Sequence, residues 1–298
     1  MNDLQRYLVE EALEDYEDGR LTRRQALRAI AGLTGAALAA QMVDAHAQAK
    51  PAPGGKAPSA SAPLVAPNDS AIVAGVAEFP GTGARLAGYL ARPAQSGTFP
   101  IVLVCHENRG LTRHIEDVTR RVAKAGYVGL AVDLLSREGG TDKHDFDAIP
   151  GILGKVPPAR HVQDFQSGLA YARAQPAARA DRVGMTGFCF GGAVTWRVAA
   201  GVPDLRAAVP FYGVPVQEPD VSGIGAAVLA IYGGLDERIN QNIPAIEAAM
   251  QKHGKTFRKI IYPKVDHAFH NDTGARYNAE AAKAAWSETL AWFGKYLA

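Results

Sequence analysis

The chain has 298 residues, of which 47% are hydrophobic and 21% are charged, the balance of an ordinary soluble globular protein. Its 32 basic and 30 acidic side chains give a formal net charge of +2, which argues against the clustered basic face of a nucleic-acid-binding protein. Two cysteines exclude a disulfide framework and a cysteine-rich zinc site.

The first 47 residues have the order of an export signal. An acidic amphipathic stretch precedes Thr22-Arg23-Arg24, an apolar run covers 29–40, and Ala45-His46-Ala47 follows as a small-residue cleavage site. The arginines resemble a twin-arginine signal, and the run is shorter than the roughly 20 residues that span a bilayer. We predict export to the periplasm with cleavage after Ala47 and no stable membrane span. The alternative is a cytoplasmic protein whose N-terminal segment is a helical arm packed on the domain or a partner subunit.

Two further segments follow. Residues 48–69 are mostly Pro, Ala, Gly and Ser, which predicts a flexible linker. Residues 70–298 alternate short β-branched runs with helical periodicity, which predicts one catalytic domain of the α/β class. Its fold is a doubly wound, mostly parallel sheet with helices on both faces. The predicted strands are 72–79, 84–91, 100–105, 127–133, 183–186, 207–212, 226–232 and 257–262, and the predicted helices are 115–125, 160–174, 192–200, 243–253 and 277–296.

The strongest local motif is Gly187-Phe188-Cys189-Phe190-Gly191-Gly192, which lies between a predicted strand and a predicted helix. It has the form of a nucleophile elbow with cysteine in place of serine. The following helix would point its N-terminus at the thiol and favour a thiolate or a developing oxyanion. The alternative is a glycine-rich turn that holds an inert buried cysteine.

Asp236 and His267 each follow a predicted strand, at the edge where open α/β sheets place their sites. The chain order of nucleophile, acid and histidine is the order of α/β-hydrolases. His267 would exchange a proton with Cys189, and Asp236 would orient the imidazole. The backbone N–H groups of Asn108 and Phe190 are the candidate oxyanion hole. Taken singly, Asp236 is equally well a helix cap and His267 a surface-loop side chain.

These motifs together resemble the dienelactone hydrolase (carboxymethylenebutenolidase) family of the α/β-hydrolases. The resemblance rests on Gly-Phe-Cys-Phe-Gly-Gly, Leu-Asp-Glu and Asp-His-Ala-Phe, and on the segments 105–110 and 133–137. It implies an α/β-hydrolase fold and hydrolysis of ester or lactone bonds without a cofactor. It also implies that Glu107 contacts the cysteine and that Arg137 binds the carboxylate of the substrate.

One position departs from the family pattern. The family carries a second carboxylate-binding arginine four residues after the catalytic histidine, and this chain has Asn271 there. Arg276 lies nearby but out of register. We therefore expect a weaker preference for acidic substrates than in a dedicated dienelactone hydrolase.

The sequence thus predicts a cysteine-dependent hydrolase that cleaves a small ester or lactone through a thioacyl-enzyme. The alternatives are a broad carboxylesterase or thioesterase, a thiol redox protein that uses Cys189 and Cys105, and a non-catalytic binding protein on the same fold. The 8 histidines are scattered without metal-site spacing, so we predict no metal site. The partner is a small molecule, no nucleic acid is expected, and the oligomeric state stays open.

Overall fold

The computed structural model describes residues 1–46 and 63–298. Its α-helices, in chain order, are α1 (Asp3–Glu17), α2 (Arg23–Thr34), α3 (Ala36–His46), α4 (Arg113–Lys124), α5 (Ile149–Lys155), α6 (Pro158–Arg173), α7 (Phe190–Gly201), α8 (Glu218–Val221), α9 (Glu237–Asn240), α10 (Ile243–Lys252) and α11 (Ala279–Leu297). The strands are β1 (Ile72–Gly81), β2 (Ala84–Pro93), β3 (Phe99–Cys105), β4 (Val128–Val132), β5 (Ala178–Phe188), β6 (Ala207–Phe211), β7 (Ala227–Gly233) and β8 (Phe257–Tyr262).

The eight strands found among the described residues form one sheet in the order β1-β2-β4-β3-β5-β6-β7-β8. The strands β1 and β2 pair antiparallel with each other, β2 pairs antiparallel with β4, and the remaining pairs are parallel. Each predicted strand is present, with β5 beginning five residues early because its first residues pair with Phe99 and Pro100 across a register shift. The β3, β4, β6 and β7 strands are buried along most or all of their length, as apolar runs in a covered parallel sheet require.

Helices cover both faces of this sheet. The side of β4 at Gly129 lies against Thr119 and Val122 of α4, whereas the side chains of Leu130 and Val132 point at Gly168 of α6. Because successive residues of a strand face opposite sides, α4 and α6 pack on opposite faces. The predicted α/β-hydrolase fold is confirmed by this architecture.

The helices α1, α2 and α3 form a cap on the α/β domain. Capping boxes start α1 at Asn2 and α2 at Thr22. The three helices share an apolar cluster of Val9, Ala12, Leu13, Leu21, Ala26, Ala29, Ile30, Ala39 and Val43. A Cβ on Gly32 of α2 would lie 3.0 Å from the Cα of Gly151 in α5, so two helix backbones touch there. The cap is therefore docked by close packing, as expected for a helical arm, while export stays a prediction.

The predicted linker and cleavage site fall mostly on residues outside the described part of the chain, which leaves out 47–62. Residues 63–69 of the predicted linker run along the domain. The backbone N–H groups of Leu64 and Val65 donate to the carboxylate of Asp117 at 3.0 and 2.8 Å, and Val65 is buried. Within residues 1–46 and 63–298, none of the helices has the length and apolar character needed to cross a membrane.

Candidate active site

Cys189 lies at the sharp turn between β5 and α7. Its backbone has φ 59° and ψ −121°, a strained conformation for a residue that has a side chain. The turn packs tightly, because a Cβ on Gly191 would lie 2.5 Å from the carbonyl oxygens of both Cys105 and His106 at the end of β3. The glycine in the motif is thus required by the close approach of two chain segments. This geometry presents the thiol above the carboxyl edge of the sheet.

Asp236 and His267 meet beside this thiol. Asp236 directly follows β7 and caps α9, accepting a hydrogen bond from the backbone N–H of Ile239 at 3.2 Å. Its other carboxylate oxygen lies 2.6 Å from Nδ1 of His267, whose side chain is fully buried. Burial alone would raise the pKa of Asp236, but the charge and the hydrogen bond of His267 hold that pKa below its ordinary value. With Nδ1 bound to Asp236, Nε2 is the nitrogen left to face the sulfur.

The two candidate oxyanion donors adjoin the elbow. Phe190 is the first residue of α7, so its backbone N–H has no partner within that helix. Asn108 is buried three residues after the end of β3. In the sheet, β3 is the direct neighbour of β5, with Cys105 opposite Gly187. The residues that leave β3 therefore emerge next to Cys189.

Glu107 is buried and its carboxylate accepts a hydrogen bond from the side-chain amide of Asn271 at 2.6 Å. Burial raises the pKa of Glu107, and the nearby carboxylate of Glu11 raises it further. Asn271, which stands where the family carries an arginine, thus holds Glu107. Among the described residues, Glu11 places its carboxylate within hydrogen-bonding distance of the thiol, and the contact of Glu107 with the cysteine stays a prediction.

Arg137 forms an ion pair within the protein. Its Nη2 and Nε donate to the carboxylate of Asp164 in α6 at 2.7 and 3.1 Å, and its Nη1 donates to the carbonyl oxygen of Thr82 at 2.9 Å. The forked geometry is the one that guanidinium groups use for carboxylates. The binding of a substrate carboxylate by Arg137 stays a prediction.

Two residues of the site were missed by the sequence analysis, Tyr7 and Glu11 of α1. The Tyr7 hydroxyl lies 3.1 Å from the sulfur of Cys189 and 3.4 Å from Nε2 of His267. The Glu11 carboxylate oxygens lie 3.1 and 3.4 Å from the same sulfur, and one of them lies 3.7 Å from Nε2 of His267. Leu4, Tyr7, Leu8 and Glu11 share one face of α1, so a carboxylate on an apolar helical face was the available signal.

Docking of α1 changes the chemistry of the thiol. Burial raises the pKa of Cys189, and the negative charges of Glu11 and Glu107 raise it further, so the protonated thiol is favoured. Among the described residues, Glu11, Cys189 and His267 offer ligand atoms that lie within 4.8 Å of one another. Sulfur, nitrogen and oxygen ligands of this kind suit zinc. Such an ion would occupy the sulfur and Nε2, the two atoms that a nucleophile and its base need.

The sequence and the structure match known proteins over most of the chain. Residues 86–297 match the profile of the dienelactone hydrolase family. An Escherichia coli O157:H7 relative named "Putative carboxymethylenebutenolidase" is 37% identical over 261 residues, which cover 81% of this chain and 95% of the relative. A Bradyrhizobium relative named "Probable 2-oxo-3-(5-oxofuran-2-ylidene)propanoate lactonase" is 34% identical over 225 residues, covering 72% and 90% of the two chains.

A solved structure agrees with these relatives. The crystal structure titled as a "Putative Dienelactone Hydrolase" from Klebsiella pneumoniae is 35% identical, with a TM-score of 0.71, and the match covers 76% of this chain and all of that one. The strand order, the elbow and these matches agree on one family and one class of reaction. The chain belongs to the dienelactone hydrolase family and is a hydrolase of ester bonds.

Proposed function

We propose that the protein hydrolyses small esters or lactones through a thioacyl-enzyme on Cys189, with His267 and Asp236 as the other members of a catalytic triad. The observation that supports this is the bond of 2.6 Å between Asp236 and Nδ1 of His267. That bond leaves Nε2 on the side of the sulfur, where the Tyr7 hydroxyl lies 3.4 Å from Nε2 and 3.1 Å from the sulfur of the strained cysteine. A base that is oriented by an acid and lies beside a nucleophile is the arrangement of covalent hydrolases.

The first half-reaction transfers the acyl group to the enzyme. The sulfur of Cys189 attacks the carbonyl carbon while the thiol proton passes to Nε2 of His267. The backbone N–H groups of Phe190 and Asn108 stabilise the oxyanion of the tetrahedral intermediate. Collapse of this intermediate breaks the carbon–oxygen bond, and His267 returns the proton to the departing alkoxide. In a lactone, the resulting hydroxyl stays attached to the acyl chain.

The second half-reaction releases the acid. Water attacks the thioester carbon and gives its proton to His267. The second tetrahedral intermediate breaks the carbon–sulfur bond, and the proton returns to the sulfur. Asp236 stays ionised throughout and stabilises the imidazolium, in keeping with its lowered pKa. No cofactor enters either step.

A pair of matched substitutions tests the nucleophile. Cys189→Ala should abolish hydrolysis of an aryl ester and of a lactone, whereas Cys105→Ala should keep most of it. Cys105 is the proper control because it is also a free, buried thiol at the end of an adjacent strand. Rapid quenching and mass spectrometry should find the acyl group on the peptide that contains Cys189. Full activity in the Cys189→Ala enzyme would overturn the mechanism.

A further inference from the structure

The described structure holds the proposed nucleophile in a closed state. Cys189 is 1% exposed and His267 is not exposed at all, because α1 lies over them with Tyr7 and Glu11 against the sulfur. An ester must bring its carbonyl carbon into bonding distance of that sulfur. Tyr7 and Glu11 occupy positions beside the sulfur on which such a carbonyl would have to be placed. It follows that α1 must move before an ester can react.

Ion pairs with two arginines of the hydrolase domain hold α1 in place. Glu14 accepts a hydrogen bond from Nε of Arg238 at 3.0 Å, and Nη1 of Arg276 lies 3.6 Å from Glu14. Nη2 of Arg276 lies 3.5 Å from Asp15. The guanidinium of Arg238 also stacks 4.8 Å from the centre of the Tyr7 ring. We refer to these two arginines as the Arg238–Arg276 pair.

The Arg238–Arg276 pair has donors that make no hydrogen bond to α1. In the described part of the chain, Nη1 and Nη2 of Arg238 and Nη1 of Arg276 are buried and make no hydrogen bond. Burial alone would lower the pKa of Arg276, yet the carboxylates of Asp15 and Glu11 keep that pKa above its ordinary value. The pair is therefore a partly buried positive site that is occupied by carboxylates of α1 and has room for more hydrogen bonds.

The spacing of the acidic residues relates this positive site to the sulfur. Glu11, Glu14 and Asp15 stand at positions i, i+3 and i+4, so they share one face of α1. One helical turn, about 5.4 Å, separates the carboxylate at the sulfur from the carboxylates at the arginines. A small ester or lactone with a carboxylate on its acyl part spans the same distance.

We propose that α1 is a built-in substrate mimic, and that the Arg238–Arg276 pair, which α1 neutralises with Glu14 and Asp15, binds the carboxylate of an anionic ester or lactone once α1 leaves. This inference deepens the proposed function and rests on it. Because the anion and α1 compete for the same arginines, binding of an anionic substrate favours the open state, and closing expels that substrate. A neutral ester does not bind the two arginines, so it reacts only when α1 leaves the site spontaneously.

Two alkylating reagents of similar size test the proposal on the full chain. Iodoacetamide is neutral and iodoacetate is anionic, and mass spectrometry separates labelling of Cys189 from labelling of Cys105. In the double variant Glu14→Gln/Asp15→Asn, both reagents should label Cys189 at least about tenfold faster, the factor that one charge-assisted hydrogen bond contributes. Glu10→Gln is the control, since it removes one negative charge from the exposed face of α1 and should leave both rates unchanged.

Arg276→Gln then tests anion binding by the arginines separately from closure of the site by α1. It removes a contact to α1, so labelling by iodoacetamide should rise as in the double variant. It also removes half of the anion site, so the ratio of the iodoacetate rate to the iodoacetamide rate should fall below that of the double variant. Arg238→Gln repeats the measurement at the other arginine, and thermal unfolding verifies that each variant is folded.

Each outcome has a definite meaning. Wild-type labelling rates in the double variant would overturn the closure by α1. An unchanged ratio of the two rates in both arginine variants would overturn the anion subsite. Labelling requires an accessible thiolate but no acyl transfer, so these results do not depend on whether Cys189 forms an acyl-enzyme. Failure of the proposed function would show instead as hydrolysis by the Cys189→Ala enzyme.

Discussion

Asp236→Asn is the sharpest test of how His267 is held. The substitution replaces the carboxylate that lies 2.6 Å from Nδ1 by an amide of nearly the same shape. Its second role should survive, because asparagine caps a helix as well as aspartate does, and α9 needs only an oxygen acceptor for the N–H of Ile239. The fold is therefore expected to stay intact while the charge beside the imidazole is lost.

The expected loss follows from the type of bond that is removed. A hydrogen bond to a charged partner contributes roughly 1.5–3 kcal/mol net. At about 1.4 kcal/mol per tenfold, kcat/KM should fall about ten- to a hundredfold. Esterase assays on a neutral aryl ester measure this, with Glu237→Gln as the matched control. Glu237 is the adjacent carboxylate, and its side chain is exposed, so its loss should leave kcat/KM unchanged.

The same substitution predicts a change in the dependence of stability on pH. The pKa of Asp236 is lower in the folded protein than its ordinary value, so its ionised form stabilises the fold at pH values above the unfolded pKa of about 3.9. That stabilisation is lost as the pH falls through the folded pKa. The difference in unfolding free energy between wild type and Asp236→Asn should therefore shrink as the pH is lowered. Wild-type kcat/KM in Asp236→Asn, with the normal pH dependence of unfolding, would refute the role given to Asp236.

Further predictions concern the thiol, the elbow, metals and export. Glu11→Gln should speed iodoacetamide labelling of Cys189 at neutral pH, because Glu11 is one of the charges that raise the pKa of the thiol; an unchanged rate would contradict this. Gly191→Ala should lower the unfolding free energy by about 1–3 kcal/mol, because the added methyl group overpacks the elbow. Gly294→Ala on α11, where the methyl group meets open space, should raise the unfolding free energy by about 0.5–1 kcal/mol. Equal Tm values for the two variants would contradict the tight packing of the elbow. Chelation should leave the rate unchanged and added zinc should inhibit; activation by zinc would point to a metal enzyme. N-terminal sequencing of the native protein should find cleavage after Ala47 if the proposed export occurs, and an intact N-terminus would contradict it.

The sheet and the meeting point of Cys189, Asp236 and His267 could be predicted because both depend on local pattern. Apolar β-branched runs such as β7 have few alternatives to a buried parallel strand. The carboxyl ends of parallel strands share one edge, so motifs that follow β5, β7 and β8 are brought together by topology alone. The departures from the predicted strand ends are a few residues, and the largest one, in β5, follows from pairing with Phe99 and Pro100.

The remaining contacts join residues that are far apart and have no shared motif. Tyr7 and Glu11 lie 182 and 178 positions from Cys189 in the sequence. The sequence of α1 does not indicate which surface of the protein its apolar face covers. Arg137 has the sequence context of a substrate ligand, yet Asp164 of α6 binds it. Asn271 is an obvious departure from the family pattern, but only the folded chain shows that its amide binds Glu107.

Because α1 belongs to the same polypeptide as the site that it covers, its concentration at the site cannot be reduced by diluting the protein. Inhibition of this kind acts equally on every molecule and leaves no free inhibitor to remove by dialysis. Its signature is a higher apparent KM, since only the open fraction binds substrate and the affinity falls by that fraction. If one molecule in about a hundred is open, the concentration of a neutral ester must be about a hundredfold higher to give the rate of a fully open enzyme. Proteolytic removal of the segment that carries Tyr7 and Glu11 would leave the site permanently open and lower the apparent KM.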